Sequence, residues 1–137
     1  MQKDFDKWNI KKKVINTKDI SNVFFREKEI WWCHLGLNVG FEQDGKNEEF
    51  RRPVLIFKKF NAETFWAISL TSQNKIGKYY FSFKILDSKI KNTANLSQIK
   101  LIDSKRLIDK MGYMGEGDYL EIKERIKEII DYVDSDE

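Results

Sequence analysis

A mainly β fold, a small and strongly curved antiparallel β-barrel flanked by helices, is predicted by three observations. Short runs rich in Val, Ile, Phe, Tyr and Trp alternate with clusters of Gly, Asn, Asp and Ser. Near the C-terminus the apolar residues recur instead at three- and four-residue steps, the period of a helix. The 137 residues fit one domain with a modest core, and short strands with tight turns bury that core best when the sheet curves and a helix covers it.

Along the chain, Phe5, Trp8 and Ile15 fall at near-helical spacing with Lys11, Lys12 and Lys13 between them, which predicts a short amphipathic helix over 3–15. Residues 17–22 read as a linker. Strands are expected at 29–35, 53–58, 64–70 and 78–86, with a further short strand at 94–99. Asn61-Ala62 and Ile76-Gly77 mark hairpin turns. A short helix is expected over 104–110. Tyr119, Ile122, Ile126, Ile129 and Val133 line one face of a terminal helix opened by Gly117-Asp118, with Asp118 as its cap. The division expected is a helical extension and linker over 1–27 and a barrel domain over 28–137. No internal repeat or low-complexity linker is present, and Pro53 is the single proline.

Composition excludes several classes. Hydrophobic residues at 41% and aromatics at 14% are too many for a disordered chain, and no apolar run approaches the roughly 18 residues of a membrane span. No basic stretch followed by an apolar one opens the chain, so secretion is not expected. The single cysteine, Cys33, allows no internal disulfide and reads as a packing residue in a strand, which fits a reducing cytoplasm. One His and one Cys at adjacent positions supply no metal-ligand set, so neither metal nor other cofactor is expected. Net charge is only +3, but residues 1–115 hold 22 basic against 13 acidic side chains while 116–137 hold three against nine. A basic body attracts polyanions.

From residue 28 onward, the order of pieces is Ile30-Trp31-Trp32, Leu35, the turn Gly40-Phe41-Glu42-Gln43, then Arg52-Pro53-Val54-Leu55-Ile56, then Leu70-Thr71-Ser72. A later block runs Leu96-Ser97-Gln98-Ile99-Lys100-Leu101-Ile102-Asp103-Ser104-Lys105-Arg106-Leu107. Taken together these pieces resemble the MazF/PemK family of toxin ribonucleases. The resemblance implies the barrel type shared by CcdB and MazF, a homodimer with an RNA groove across the pair, and an acidic, partly disordered cognate antitoxin. It also implies metal-free cleavage of single-stranded RNA to a 2′,3′-cyclic phosphate and a 5′-hydroxyl.

RNA cleavage of that kind must deprotonate a 2′-hydroxyl, protonate the leaving 5′-oxygen and stabilise charge on the phosphorane. By resemblance Arg52 stands at the family's catalytic arginine. Pro53 disfavours helix at Arg52 and sets an extended entry to the strand, with Arg51 directed to the opposite side. Thr71 matches the family's threonine and is the second catalytic candidate, able to hydrogen-bond a phosphate oxygen. Ser69 and Ser72 are further phosphate candidates. Glu42 and Gln43 match the family's Glu-Gln pair, Gln98 and Lys100 its later segment. Phe41 replaces a small hydroxyl residue and could stack on a base, and the acidic stretch 44–50 is longer than the family's usual connection. The substrate-binding set expected is therefore Phe41, Glu42, Gln43, Ser72, Gln98 and Lys100. His34 reads as a partly exposed strand residue rather than an acid or base, and most of Trp31, Trp32 and Trp66 as core. Two other functions compete. One is a member that binds RNA or antitoxin without cutting, suggested by Phe41. The other is a CcdB-like gyrase poison, disfavoured because the chain ends Asp134-Ser135-Asp136-Glu137 without the tryptophan such a tail needs.

Overall fold

A computed structural model describes residues 2–19 and 23–133, so the acidic end and part of the expected linker lie outside the described residues. Helix α1 (Phe5–Asn16) leads into β1 (Glu29–His34), β2 (Arg51–Lys59), β3 (Thr64–Thr71), β4 (Tyr80–Lys84), β5 (Lys91–Asp103), a 3-10 turn at Ser104–Arg106, β6 (Leu107–Tyr113) and α2 (Glu116–Asp131). The strands form one antiparallel sheet in the order β4-β5-β3-β2-β1-β6. No helix among the described residues is long and apolar enough to cross a membrane.

The sheet is curved but not closed. Its largest register break is on β5, where Ile68 pairs with Ile99 but Leu70 pairs with Ala94, so that residues 95–98 leave the β3 ladder. Residues 91–95 of β5 pair with β4, while 93–94 and 99–103 pair with β3. The two edges approach without forming a ladder: Leu86 donates its backbone N–H to the Tyr113 carbonyl at 2.8 Å.

Alternation along the strands divides the apolar residues between two faces. Ile30, Leu55, Ile68, Leu70, Phe81 and Phe83 meet Tyr119, Ile122 and Ile126 of α2 on one side. Cys33, Val54, Ile56, Phe65, Ala67 and Ile102 pack with Phe25 on the other. Helix α1 sits over a third, smaller cluster made by Trp8, Ile15 and Phe50.

Several expectations need correction. The segment 104–110 is not a helix: a single 3-10 turn gives way to β6, an edge strand on β1. Ile76-Gly77 is not itself a turn: Gly77 opens one over 77–80, its carbonyl accepting from Tyr80 N at 3.1 Å, and that turn joins no hairpin, because β5 lies between β3 and β4. Asn61 does close a hairpin, its side-chain oxygen accepting from the backbone of Glu63 and Thr64. Helix α2 begins earlier than expected, with Gly115 at its cap and no side-chain cap bond, so Asp118 lies in its first turn. At the N-terminus Asp4 caps α1 by accepting from Lys7 N at 3.0 Å. Trp8 and Ile15 are buried but Phe5 is half exposed, which narrows the expected stripe.

Candidate active site

Arg52 sits at the start of β2, paired with Cys33 of β1. The β2–β3 ladder ends at Val54 with Ser69, and extending that register by two residues sets Thr71 opposite Arg52 on the same face. In place of a further backbone pair, the guanidinium fills the space. Nη1 donates to the Leu70 carbonyl at 3.4 Å and Nε to the Asp44 carbonyl at 2.6 Å. When the Gln43 amide is turned so that its oxygen faces the donors, Oε1 accepts from Nη2 at 2.8 Å and from Nε at 3.1 Å. Arg52 is only 8% exposed, and burial lowers its pKa while Asp44 opposes that shift. An arginine nonetheless keeps its charge, and in a low-dielectric site that charge acts more strongly. Arg51 turns the other way, as expected, and lies 4.5 Å from the Trp32 ring.

Arg52 and Thr71 border one cleft of about 70 Å³, together with Gln43, Lys46, Ser69, Gln73, Lys75, Tyr80 and Asn95. The Thr71 hydroxyl oxygen accepts from Gln73 N at 3.2 Å, which leaves its proton free to donate. Beyond Gln43 and Ser69 lies a larger cavity of about 270 Å³, lined in part by Glu42, Gln98, Lys100, Asn38 and Ser97. Ser69 is 4% exposed and its Oγ has no hydrogen-bond partner among the described residues, an uncommon state for a buried polar atom. Lys100 donates to Asn38 Oδ1 at 3.2 Å, and its pKa is lowered by burial and then by Arg106. Gln98 accepts from Gln43 N at 3.3 Å and donates to the Phe41 carbonyl at 3.4 Å.

Of the expected residues, Arg52, Thr71, Glu42, Gln43, Gln98 and Lys100 therefore converge. Two stand apart. Ser72 lines a separate depression with Asn74, Ser82 and Thr93. The Phe41 side chain, 103% exposed, borders neither cavity. Lys46, Gln73, Lys75, Tyr80 and Asn95 were not expected at the site. Tyr80 and Asn95 are register partners on β4 and β5, so only the strand order brings them to Arg52.

His34 is buried rather than partly exposed. Its Nδ1 lies 2.6 Å from the Glu49 carbonyl, and burial pushes its pKa below the ordinary value. Cys33 is fully buried and its thiol is pushed up to about 12, in keeping with a packing residue. Trp31 is half-buried against the second apolar cluster, but Trp32 is half-buried without joining a cluster and Trp66 is 44% exposed, so most of the three are not core as expected. Among the described residues no group of three His, Cys, Asp or Glu could hold a metal ion.

Residues 26–130 match a family described as the PemK-like, MazF-like toxin of type II toxin-antitoxin systems. MazF from Deinococcus radiodurans has a similar structure, with a TM-score of 0.63 and 14% identity, covering 81% of this chain and all of that one. The Mycobacterium tuberculosis toxin MazF-mt6 superposes with a TM-score of 0.58 at 14% identity over 77% and 98% of the two chains. An endoribonuclease in complex with its cognate antitoxin, from a mycobacterial species, gives 0.57 at 14% identity over 78% and 95%. Identities this low establish a shared fold. No curated protein sequence matches the chain.

Proposed function

We propose, since the chain belongs to the PemK-like, MazF-like toxin family of toxin-antitoxin systems, that it is a sequence-selective endoribonuclease cutting single-stranded RNA without a metal. The observation that carries this reading is the Arg52 guanidinium, held rigidly beneath a cleft that Thr71 shares. In the reaction the 2′-oxygen bonds to the neighbouring phosphorus and the bond from phosphorus to the 5′-oxygen breaks. A 2′,3′-cyclic phosphate and a 5′-hydroxyl result, one proton leaving the 2′-hydroxyl and one reaching the 5′-oxygen. Negative charge peaks on the non-bridging oxygens, where a preorganised guanidinium and the Thr71 O–H stabilise it. Glu42, Gln43, Gln98 and Lys100 line the adjoining cavity, and a base edge placed there would give the Ser69 hydroxyl its missing partner. RNA sequence selectivity would arise at that cavity.

In excess EDTA the purified protein is expected to cleave single-stranded RNA, and Arg52→Ala to slow cleavage by on the order of 100-fold or more. Dependence on an added divalent ion, or a near wild-type rate for Arg52→Ala, would refute the assignment. A second reading is favoured by one feature. Every Arg52 nitrogen has a protein acceptor within reach, which suits a groove that binds RNA without cutting it. RNA retained on filters by a wild-type protein that leaves it intact would decide for that reading. The partners proposed are an acidic antitoxin, as the mycobacterial neighbour is described with its own, and a second copy of the chain. Light scattering at micromolar concentration should report a dimer, and a monomer there would remove the second copy from the scheme.

A further inference from the structure

We propose that Lys3, just ahead of α1, is a positioning residue of the active site: its ammonium clamps the turn 38–44, and through the Asp44 carbonyl that turn holds Arg52. This inference rests on Arg52 acting as the charge donor in cleavage. An ammonium group has three N–H donors, and here all three find acceptors in one turn. Lys3 Nζ lies 2.5 Å from the Asn38 carbonyl, 3.1 Å from the Gly40 carbonyl and 2.9 Å from Asp44 Oδ2. The other oxygen of the same carboxylate accepts from Asn38 N at 2.6 Å, and the carbonyl of the same residue accepts from Arg52 Nε at 2.6 Å. Asp44 is thus the point at which the clamp and the guanidinium meet.

Apolar packing cannot do this work, because none of residues 38–44 is buried. The turn depends on polar contacts, and without Lys3 the Asn38 and Gly40 carbonyls would turn to water while Asp44 would present an unpaired carboxylate beside the cleft. Lys3 in turn is delivered to its place by a docked helix. Asp4 caps α1, and Trp8 lies against Gly36 and Phe50, with its ring centroid 5.3 Å from that of Phe50. Lys11 pairs with Glu49 at 3.0 Å, and past the helix Lys18 donates to the Lys105 and Leu107 carbonyls. Lys3, Asp4, Trp8, Lys11 and Lys18 lie outside the span 26–130 that matches the toxin family, whereas the groups they reach lie within it.

Lys3→Met removes the ammonium and keeps the stem. The expected result is a kcat roughly tenfold or more below wild type with KM little changed, since misplacing a transition-state donor slows turnover rather than binding. Combining it with Asp44→Asn should add little, because the two act through one contact. A readout independent of catalysis is the Arg52 Nε–H resonance, whose exchange with water should quicken in Lys3→Met, together with the amides of 38–44 but not those of α1. Unchanged exchange at Arg52 and 38–44 would overturn the clamp, as would faster exchange with an unchanged kcat. Should the wild-type protein fail to cut RNA, the ribonuclease reading falls, and the exchange data alone then decide whether Lys3 holds Arg52.

Discussion

The two helices are attached to the same sheet by different physics. Helix α2 presents Tyr119, Ile122 and Ile126 to the largest apolar cluster, and its polar contacts are few: the Tyr119 hydroxyl to the Phe57 carbonyl at 2.5 Å, Arg125 to the Tyr80 carbonyl, and Lys28 with Glu116. Helix α1 buries only Trp8 and Ile15, against Phe50, yet its segment carries Lys3, Lys11 and Lys18 to three different stretches of chain. Fully burying an apolar side chain is worth about 1.5–3 kcal/mol, whereas an exposed ion pair is worth roughly 0–1 kcal/mol. So α2 chiefly stabilises the sheet. Helix α1 contributes less to global stability and more to where the 36–50 connection, and with it Arg52, comes to rest.

The largest expected effects come from a matched pair of truncations. Ile122→Ala should destabilise the fold by about 2–5 kcal/mol while leaving cleavage per folded molecule near wild type. Trp8→Ala empties the contact with Phe50 and Gly36. It should cut kcat strongly while the melting temperature falls less than in Ile122→Ala. Thermal melts and cleavage rates measured on both variants test the contrast, which collapses if Trp8→Ala spares activity or Ile122→Ala impairs it.

Next in size is a difference in pH response. Burial holds the Tyr119 hydroxyl neutral, its pKa raised from 10.0 to about 12. Between those values the folded state binds more protons than the unfolded one, so stability falls as pH rises through that window. Tyr119→Phe should flatten this alkaline loss. On the α1 side the shifts run the other way. His34 is lowered from 6.5, first by burial, and Glu49 is lowered from 4.5, first by its hydrogen bond from Lys11. There the unfolded state takes up protons first, so the 36–50 connection should loosen as pH falls below about 6.5. Hydrogen exchange followed across pH would show acid opening at 36–50 and alkaline opening at α2, and the reverse pattern would contradict the comparison.

The smallest effect expected is that of Lys11→Ala. Its partner Glu49 is largely exposed, so the pair should contribute under about 1 kcal/mol, and the melting temperature should barely move. A loss as large as that of Trp8→Ala would mean that α1 is held by charge and not by its tryptophan.

Some of this was legible without the fold. The periods of two and of 3.6 identified β1 to β4 and α2, because alternating or striped burial leaves its mark on residue choice. Strand β6 left none. With Asp109, Lys110 and Gly112 in it, it has no apolar rhythm and forms because β1 offers a free edge, through a ladder with two register shifts. The tryptophans of β1 stop short of the core: Trp31 is half-buried beside the second apolar cluster, and Trp32 is half-buried with the Arg51 guanidinium 4.5 Å from its ring. Trp66 instead lies at the surface edge-on to Phe60, with centroids 5.1 Å apart.

By itself the sequence determined the curved antiparallel sheet, the two terminal helices and the placing of Arg52 before Pro53 at the mouth of a strand. These depend on local backbone preference and on the spacing of apolar side chains, both written in neighbouring residues. The tertiary structure alone decided that β5 would run between β3 and β4, bringing Tyr80 and Asn95 to Arg52. It alone decided that Lys3 would reach Asn38, Gly40 and Asp44. The physical reason is sequence distance. Contacts between residues tens of positions apart depend on how the whole sheet orders and bends, and no local pattern records where a long side chain will find its acceptors.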